Sequence, residues 1–391
     1  MARKTARTSP KRKTATRRRT PLRVGILTGG GDCPGLNAVI RAVAKTLLHE
    51  HGAQVVGFLD GYEGLVLDRT RRLQWQAVSN ILTLGGTILG TSNKADPFAW
   101  AETRGGRVTK RDRSADAQGA MADRSGDALA VFEKHRLDGL VVIGGDGSMS
   151  IAGRLARLGL PIVGVPKTID NDVRGTEQTF GFQTAVNIAT EALDRLHTTA
   201  GAHHRVMVAE VMGRYAGWLA LHAGLASGAD VILIPEIPFR WEAVADVCRQ
   251  RYRRGKRFSI VCVAEGAKPE GGQAVVQRRV ETSTNPVRLG GIGRLVADAV
   301  ERLTGIESRA TVLGYVQRGG APSPFDRVFA THLGHRAAEL VEAGRWGRMA
   351  SWQKGRVTDV PITEASHGPR PVPPDDPLLA VARSVGTSFG E

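Results

Sequence analysis

The amino-acid sequence predicts an α/β protein of two lobes, each carrying a mostly parallel sheet flanked by helices. At 391 residues the chain exceeds one ordinary domain and suits two packed lobes. Short apolar runs alternate with stretches of helical period from Leu22 onward. Glycine-rich turns follow two of those runs, at the strand ends where parallel sheets bind their ligands.

Residues 23–28 read as a buried strand closed by the tight turn 29–31. Leu36, Val39, Ile40, Val43 and Leu47 then share one helical face. Residues 54–59 and 140–143 are further strands, the latter leading into the glycine-rich stretch 144–148. Residues 162–165 form another, ending at Pro166. Phe182, Ala185, Ile188, Ala189, Ala192, Leu193 and Leu196 keep helical spacing, and strand-like runs recur at 206–210, 231–234, 260–263 and 310–313. Two stretches read as irregular: the polar excursion 93–125, and the end of the chain with Pro369, Pro371, Pro373, Pro374 and Pro377. That end is expected to lie along the surface.

A hydrophobic content of 41% is enough for a buried core. No apolar run spans a bilayer, and no apolar middle of a secretory signal stands near Met1, so the expected compartment is the cytoplasm. Cys33, Cys248 and Cys262 are scattered without metal-ligand spacing and read as free thiols. Of the formal charge of +16, nine units sit in residues 1–20, which hold no acid and few apolar residues. That stretch is expected to be a disordered basic tail. Such a tail can meet nucleic acid or an anionic surface by counterion release, but a solvated arm without a dedicated partner is the plainer reading. An organelle-targeting role lacks the bulky apolar residues of an amphipathic face.

Gly29-Gly30-Gly31-Asp32 lies between a strand and a helix, where glycines let backbone N–H groups approach a phosphate. Such turns also serve packing. Gly144–Ser148 repeats the arrangement with Asp146 among glycines, a carboxylate suited to a magnesium ion beside a phosphate; capping of the next helix is the alternative. Pro166-Lys167-Thr168-Ile169-Asp170-Asn171-Asp172 places two carboxylates two residues apart after a strand. Phosphoryl transfer to an alcohol needs a proton acceptor and charge to meet the moving phosphoryl, which this pair and Lys167 can supply. Asp and Asn also favour solvated turns, so the stretch alone fits either use.

Together these segments resemble the 6-phosphofructokinase family, in its phosphofructokinase A type and the subgroup whose members use ATP or pyrophosphate. The ordered motifs are 28–37 (TGGGDCPGLN), 85–91 (GGTILGT), 144–148 (GGDGS), 166–172 (PKTIDND), 210–217 (EVMGRYAG) and 309–318 (RATVLGYVQR), extended by Gly319, Gly320, Asp326 and Arg327. The resemblance implies the phosphofructokinase fold of two Rossmann-like lobes. It implies a donor-binding lobe over 21–166 to which the C-terminal segment returns, a sugar-phosphate lobe over 167–343, and a C-terminal extension over 344–391.

The resemblance also implies a glycolytic kinase that transfers the γ-phosphoryl of magnesium-ATP to the 1-hydroxyl of fructose 6-phosphate. Asp170 matches the base, with Thr168 beside the acceptor and Arg214 stabilising charge on the moving phosphoryl. Asp146 matches the magnesium-associated aspartate. Gly31, Asn93, Lys94, Gly145, Asp146, Gly147 and Ser148 fall in the donor site. Thr168, Ile169, Met212, Gly213, Glu265, Val316 and Gln317 fall in the sugar site, with Arg205, Arg309, Tyr315 and Arg318 around the 6-phosphate. In the family two of these arginines come from a neighbouring subunit, which implies a homodimer or homotetramer with shared sites. No membrane or nucleic-acid partner is expected. Similar short motifs occur in kinases of NAD and of diacylglycerol, and the phosphate-binding arginines argue against NAD.

Some positions depart from the family pattern. Tyr315 stands where a histidine is common and carries no positive charge at neutral pH, which keeps other sugar phosphates such as sedoheptulose 7-phosphate open. Asn93 replaces an arginine, with Lys94 next door. Donor choice turns on Gly147, of the ATP type, and Lys167, of the pyrophosphate type. A carboxylate at 147 would crowd and repel the α-phosphate of ATP, whereas glycine leaves room, so ATP is the expected donor.

Overall fold

The computed structural model describes residues 21–101, 121–279 and 287–391; the basic tail expected over 1–20 and the middle of the 93–125 excursion lie outside them. In chain order the first strands are β1 (Arg23–Thr28), β2 (Gln54–Phe58), β3 (Thr70–Arg72), β4 (Trp100–Ala101) and β5 (Met121–Ala122). Then come β6 (Gly139–Gly144), β7 (Ile162–Thr168), β8 (Phe180–Gly181), β9 (Val206–Val211), β10 (Val231–Leu233) and β11 (Ser259–Ala264). The last are β12 (Val276–Arg279), β13 (Val287–Leu289), β14 (Ser308–Val312), β15 (Arg348–Gln353) and β16 (Arg356–Pro361). The helices are α1 (Leu36–His51), α2 (Tyr62–Val66), α3 (Ser125–Lys134), α4 (Asp146–Arg157) and α5 (Phe182–His203). They continue as α6 (Trp218–Ala226), α7 (Trp241–Arg253), α8 (Ile292–Thr304), α9 (Pro324–Glu342) and α10 (Pro377–Ser384).

Two main sheets organise these elements. The larger runs β16-β15-β7-β6-β1-β2-β3, with β8 on the end of β7; the smaller runs β10-β11-β9-β14. β1, β2, β6 and β7 pair in parallel, as do all four strands of the smaller sheet. β6, β9 and β11 are buried along their whole length because helices cover both faces, which is why their sequences read as continuous apolar runs. Gly29–Gly31 leaves β1, Gly145 leads from β6 into α4, and the Asp170 loop leaves β7. From the smaller sheet, the Arg214 loop leaves β9, Glu265 follows β11, and a 3₁₀ turn (Gly314–Arg318) follows β14. Every one of these is a carboxyl end, so the two sheets direct their loops into one crevice.

The structure corrects several expectations. The strand expected to stop at Pro166 runs to Thr168, because Lys167 and Thr168 find a new partner in β8. The proline-rich end is irregular and largely exposed over 367–376, as expected, but the chain beyond it returns to regular structure and to the core. Pro377 opens α10, where the missing proline N–H costs nothing, and the Asp376 carboxylate caps it by accepting from Leu378 N at 2.9 Å. Val372, Leu379, Ala382 and Phe389 are buried in the core. Within 93–125, the ends of the excursion pair as an antiparallel ribbon of β4 and β5, and Ser125 already begins α3. Among the described residues no helix is long and apolar enough to cross a membrane.

Candidate active site

A cavity of about 1140 Å³ lies between the carboxyl ends of the two sheets. From the larger sheet it is lined by Gly30, Gly31, Asn93, Gly145, Asp146, Gly147, Ser148, Lys167, Thr168, Asp170 and Asp172. From the smaller sheet come Met212, Arg214, Glu265, Tyr315 and Arg318.

The floor is formed by the glycine turn after β1. Lys167, almost wholly buried, donates from Nζ to the Gly31 carbonyl, and burial lowers its pKa. Arg318 reaches the same turn, donating from Nη1 to the Asp32 carbonyl at 3.0 Å. A Cβ added at Gly147 would meet nothing within 4 Å, so that position faces open space and any side chain there would stand in the cavity. Tyr62 is buried and donates its hydroxyl to the Ser148 carbonyl at 2.6 Å, fixing the first turn of α4. Nothing in the spacing of the sequence pointed to it, because the bond joins distant segments.

Asp170 and Asp172 are both buried. The Asp170 backbone N–H donates to Thr168 Oγ1 at 3.0 Å, while its Oδ1 is buried without a hydrogen-bond partner. Between them Asn171 adopts the left-handed backbone (φ 53°), and its Oδ1 accepts from Thr179 N at 3.0 Å. Burial, reinforced by Asp170 and Asp146, pushes the Asp172 carboxyl up to about 8.

Arg214 also has a left-handed backbone (φ 53°), rare for a bulky residue outside functional turns. Its N–H donates to Glu265 Oε1 at 3.1 Å, and its carbonyl lies so close to Gly266 that a Cβ there would stand 1.8 Å away. Glycine is therefore the residue that admits this turn. Burial and then Asp170 raise Glu265 to about 7. Gln317 is fully buried and accepts from Met212 N at 2.9 Å, tying the 3₁₀ turn to the loop after β9.

Not every site residue expected from sequence reaches the cavity of this one chain. Ile169 is buried, Val316 is exposed beside the cavity lining, and Gly213 serves as backbone at φ 135°. Lys94 is exposed next to Asn93 and is not part of the lining. Arg318 and Tyr315 line the cavity, whereas Arg205 and Arg309 pair with Glu307 elsewhere, so one chain does not gather the three arginines. Sequence reasoning missed Tyr62, Gln277, Arg278 and Arg294, which also line the space. The basic character of 276–294 was the available signal for the last two.

The donor set suits a magnesium ion. Asp146 and Asp170 face the same cavity, Asp170 keeps an unpartnered oxygen, and Asp172 is raised first by burial and then by repulsion from Asp170 and Asp146, a repulsion that a cation would relieve. Among the described residues no group of three or more His, Cys, Asp or Glu is placed to hold a metal ion.

Fold and cavity thus define a two-sheet α/β protein with glycine-floored, carboxylate-bearing strand ends, the layout of phosphate chemistry. Residues 23–341 match the family model described as Phosphofructokinase, and the chain belongs to that family. It is 45% identical over 94% of its length, and 98% of the relative's, to "ATP-dependent 6-phosphofructokinase 2" of Clostridium perfringens. It is also 46% identical, over 90% of its length and 97% of the relative's, to "Pyrophosphate--fructose 6-phosphate 1-phosphotransferase" of Amycolatopsis methanolica. Among solved structures, phosphofructokinase of Pichia pastoris superposes with a TM-score of 0.74 at 31% identity, covering 95% of this chain and 37% of the larger yeast chain.

Proposed function

We propose that the chain is an ATP-dependent 6-phosphofructokinase, moving the γ-phosphoryl of magnesium-ATP to the 1-hydroxyl of fructose 6-phosphate. The observation that carries this reading is a single cavity holding the Asp146 and Asp170 carboxylates with open space at Gly147 between the donor turns. Relatives named for either donor share nearly equal identity with this chain, so overall similarity does not choose between them. Local sterics do. ATP carries an α-phosphate that needs the room glycine leaves, and pyrophosphate does not.

In this reading Asp170 accepts the proton of the acceptor hydroxyl as its oxygen bonds to the γ-phosphorus and the bond to ADP breaks. Its unpartnered Oδ1 is the atom available for that proton. Arg214 meets charge on the transferred group, while Lys167 and the glycine turns hold donor phosphates. Asp146 would hold magnesium, which when bound would neutralise charge on the phosphate oxygens. Arg318 and Tyr315 would engage the 6-phosphate. Arg205 and Arg309 would complete that site from a neighbouring copy in a homo-oligomer. We read the compartment as the cytoplasm, supported by three free, buried cysteines among the described residues.

A matrix of ATP and pyrophosphate against fructose 6-phosphate and sedoheptulose 7-phosphate tests the reading. ATP with fructose 6-phosphate should give the highest kcat/KM. Turnover with pyrophosphate and none with magnesium-ATP would overturn the donor assignment, in favour of the second reading that Lys167 supports.

A further inference from the structure

We propose that Arg370 is a positioning residue that holds the Asp170 loop and the Arg214 loop in register across the two sheets. The inference rests on the function proposed above. Arg370 lies past residue 341, where the family match ends, and it is not part of the cavity lining. It therefore acts through other residues.

Its backbone N–H, its backbone carbonyl and Nη2 of its guanidinium are all engaged, while Nε is buried without a hydrogen-bond partner. The backbone N–H donates to the Asp172 carbonyl at 2.7 Å. Nη2 of the guanidinium donates to the carbonyls of Asn171, at 2.8 Å, and Glu177, at 3.0 Å. Its own carbonyl accepts from Trp218 Nε1 at 2.9 Å, and its guanidinium lies 4.2 Å from the centre of the Trp218 ring. Asn171 and Asp172 directly follow Asp170, and Trp218 opens α6 four residues after Arg214. One residue thus joins the turn bearing the proton acceptor to the first residue of the helix that follows the Arg214 loop.

A second tie runs alongside. Glu236 Oε1 accepts from Gly217 N at 2.9 Å and from Val372 N at 2.8 Å, fastening the same short strap to the end of the Arg214 loop. Asn171 and Arg214 both sit in costly left-handed backbone, which persists only where the surroundings hold it. The strap provides such a hold on each side. A forked guanidinium suits the task because one Nη atom bridges two carbonyls while the planar group stacks on the indole; lysine offers a point charge without the fork.

The test uses the full chain with Arg370→Gln and Arg370→Lys. It combines steady-state kinetics on magnesium-ATP and fructose 6-phosphate with hydrogen exchange of residues 168–179 and 213–218. Arg370→Gln should lower kcat by about 10- to 100-fold, the scale of a sub-ångström to ångström misplacement of reacting groups. Both KM values should stay within about threefold, since binding groups are untouched. Exchange should rise in both segments, and Arg370→Lys should recover part of each effect. Unchanged kcat, a loss expressed in KM alone, or faster exchange in only one loop would overturn the proposal. Should Arg370→Gln fail to fold, Arg370→Lys carries the same criteria. If the wild-type protein turns over no donor and acceptor pair, the proposed function fails. The exchange arm still decides the clamp: rising in both loops it stands, otherwise it falls.

Discussion

Asp170, Asp172 and Glu265 crowd three carboxyls into one buried region, and their chemistry follows from that crowding. Asp170→Ala should cut turnover by roughly 100-fold or more, the scale of a lost general base, with a much smaller change in sugar-phosphate affinity; single-turnover kinetics check it. Gly147→Asp should depress kcat/KM for ATP far more than for pyrophosphate, because the new carboxylate projects into open cavity beside the donor. Glu265 has a folded pKa raised to about 7 from 4.5, so the native state binds the extra proton between those values. Its contribution is whole below about pH 4.5 and is lost as pH rises through 7. Glu265→Gln should flatten that part of the stability–pH curve, measured by denaturant melts of the unliganded protein. Asp146 and Asp170 were legible in sequence because glycines and turn residues at strand ends announce a backbone open to ligand. Tyr62 and Arg370 were not, since each acts on a carbonyl far away in the chain and leaves no local pattern.

At the level of strands and helices, the apolar runs of β1, β6, β9 and β11 could be read almost to the residue, because burial on both faces leaves no polar position to blur the ends. β15 and β16 escaped notice for the opposite reason. Their sequences carry arginines, a tryptophan and an aspartate, and the pairing is secured by charge. The Asp359 side chain is only 4% exposed and meets Arg336, Arg345 and Arg348. Burial would raise its pKa, but the hydrogen bonds from Arg336 and Arg348 win and hold it below the ordinary value. Asp359→Ala strands three guanidinium groups of mixed exposure and should cost about 2–3 kcal/mol, below the range for a wholly buried pair. Urea denaturation checks it, and kcat of the surviving native protein should hardly move. Motif membership also proved a mixed signal. Asp326, inside the last family motif, is fully buried and accepts from Gly181 N, Thr184 N and the Thr184 hydroxyl, so it anchors helices and stays away from the cavity.

For the whole molecule, the separation of Arg205 and Arg309 from Arg318 invites a complementation experiment. Asp170→Ala and an Arg205→Ala/Arg309→Ala double variant should each be nearly inactive alone. If sites are shared between copies, refolding them together should restore up to roughly a quarter of wild-type activity in a dimer, as random pairing places one intact site in part of the population. No recovery in a verified mixed oligomer would mean that each chain builds its site alone. The order in which the larger sheet is completed has a further consequence for biosynthesis. β15 pairs Arg348 and Met349 with Val163 and Gly164 of β7, so a ribosome must travel from residue 168 to residue 348 before that flank is covered. Meanwhile the nascent polypeptide offers an uncovered apolar ribbon, the kind of surface on which chains stick to one another and to which chaperones attend.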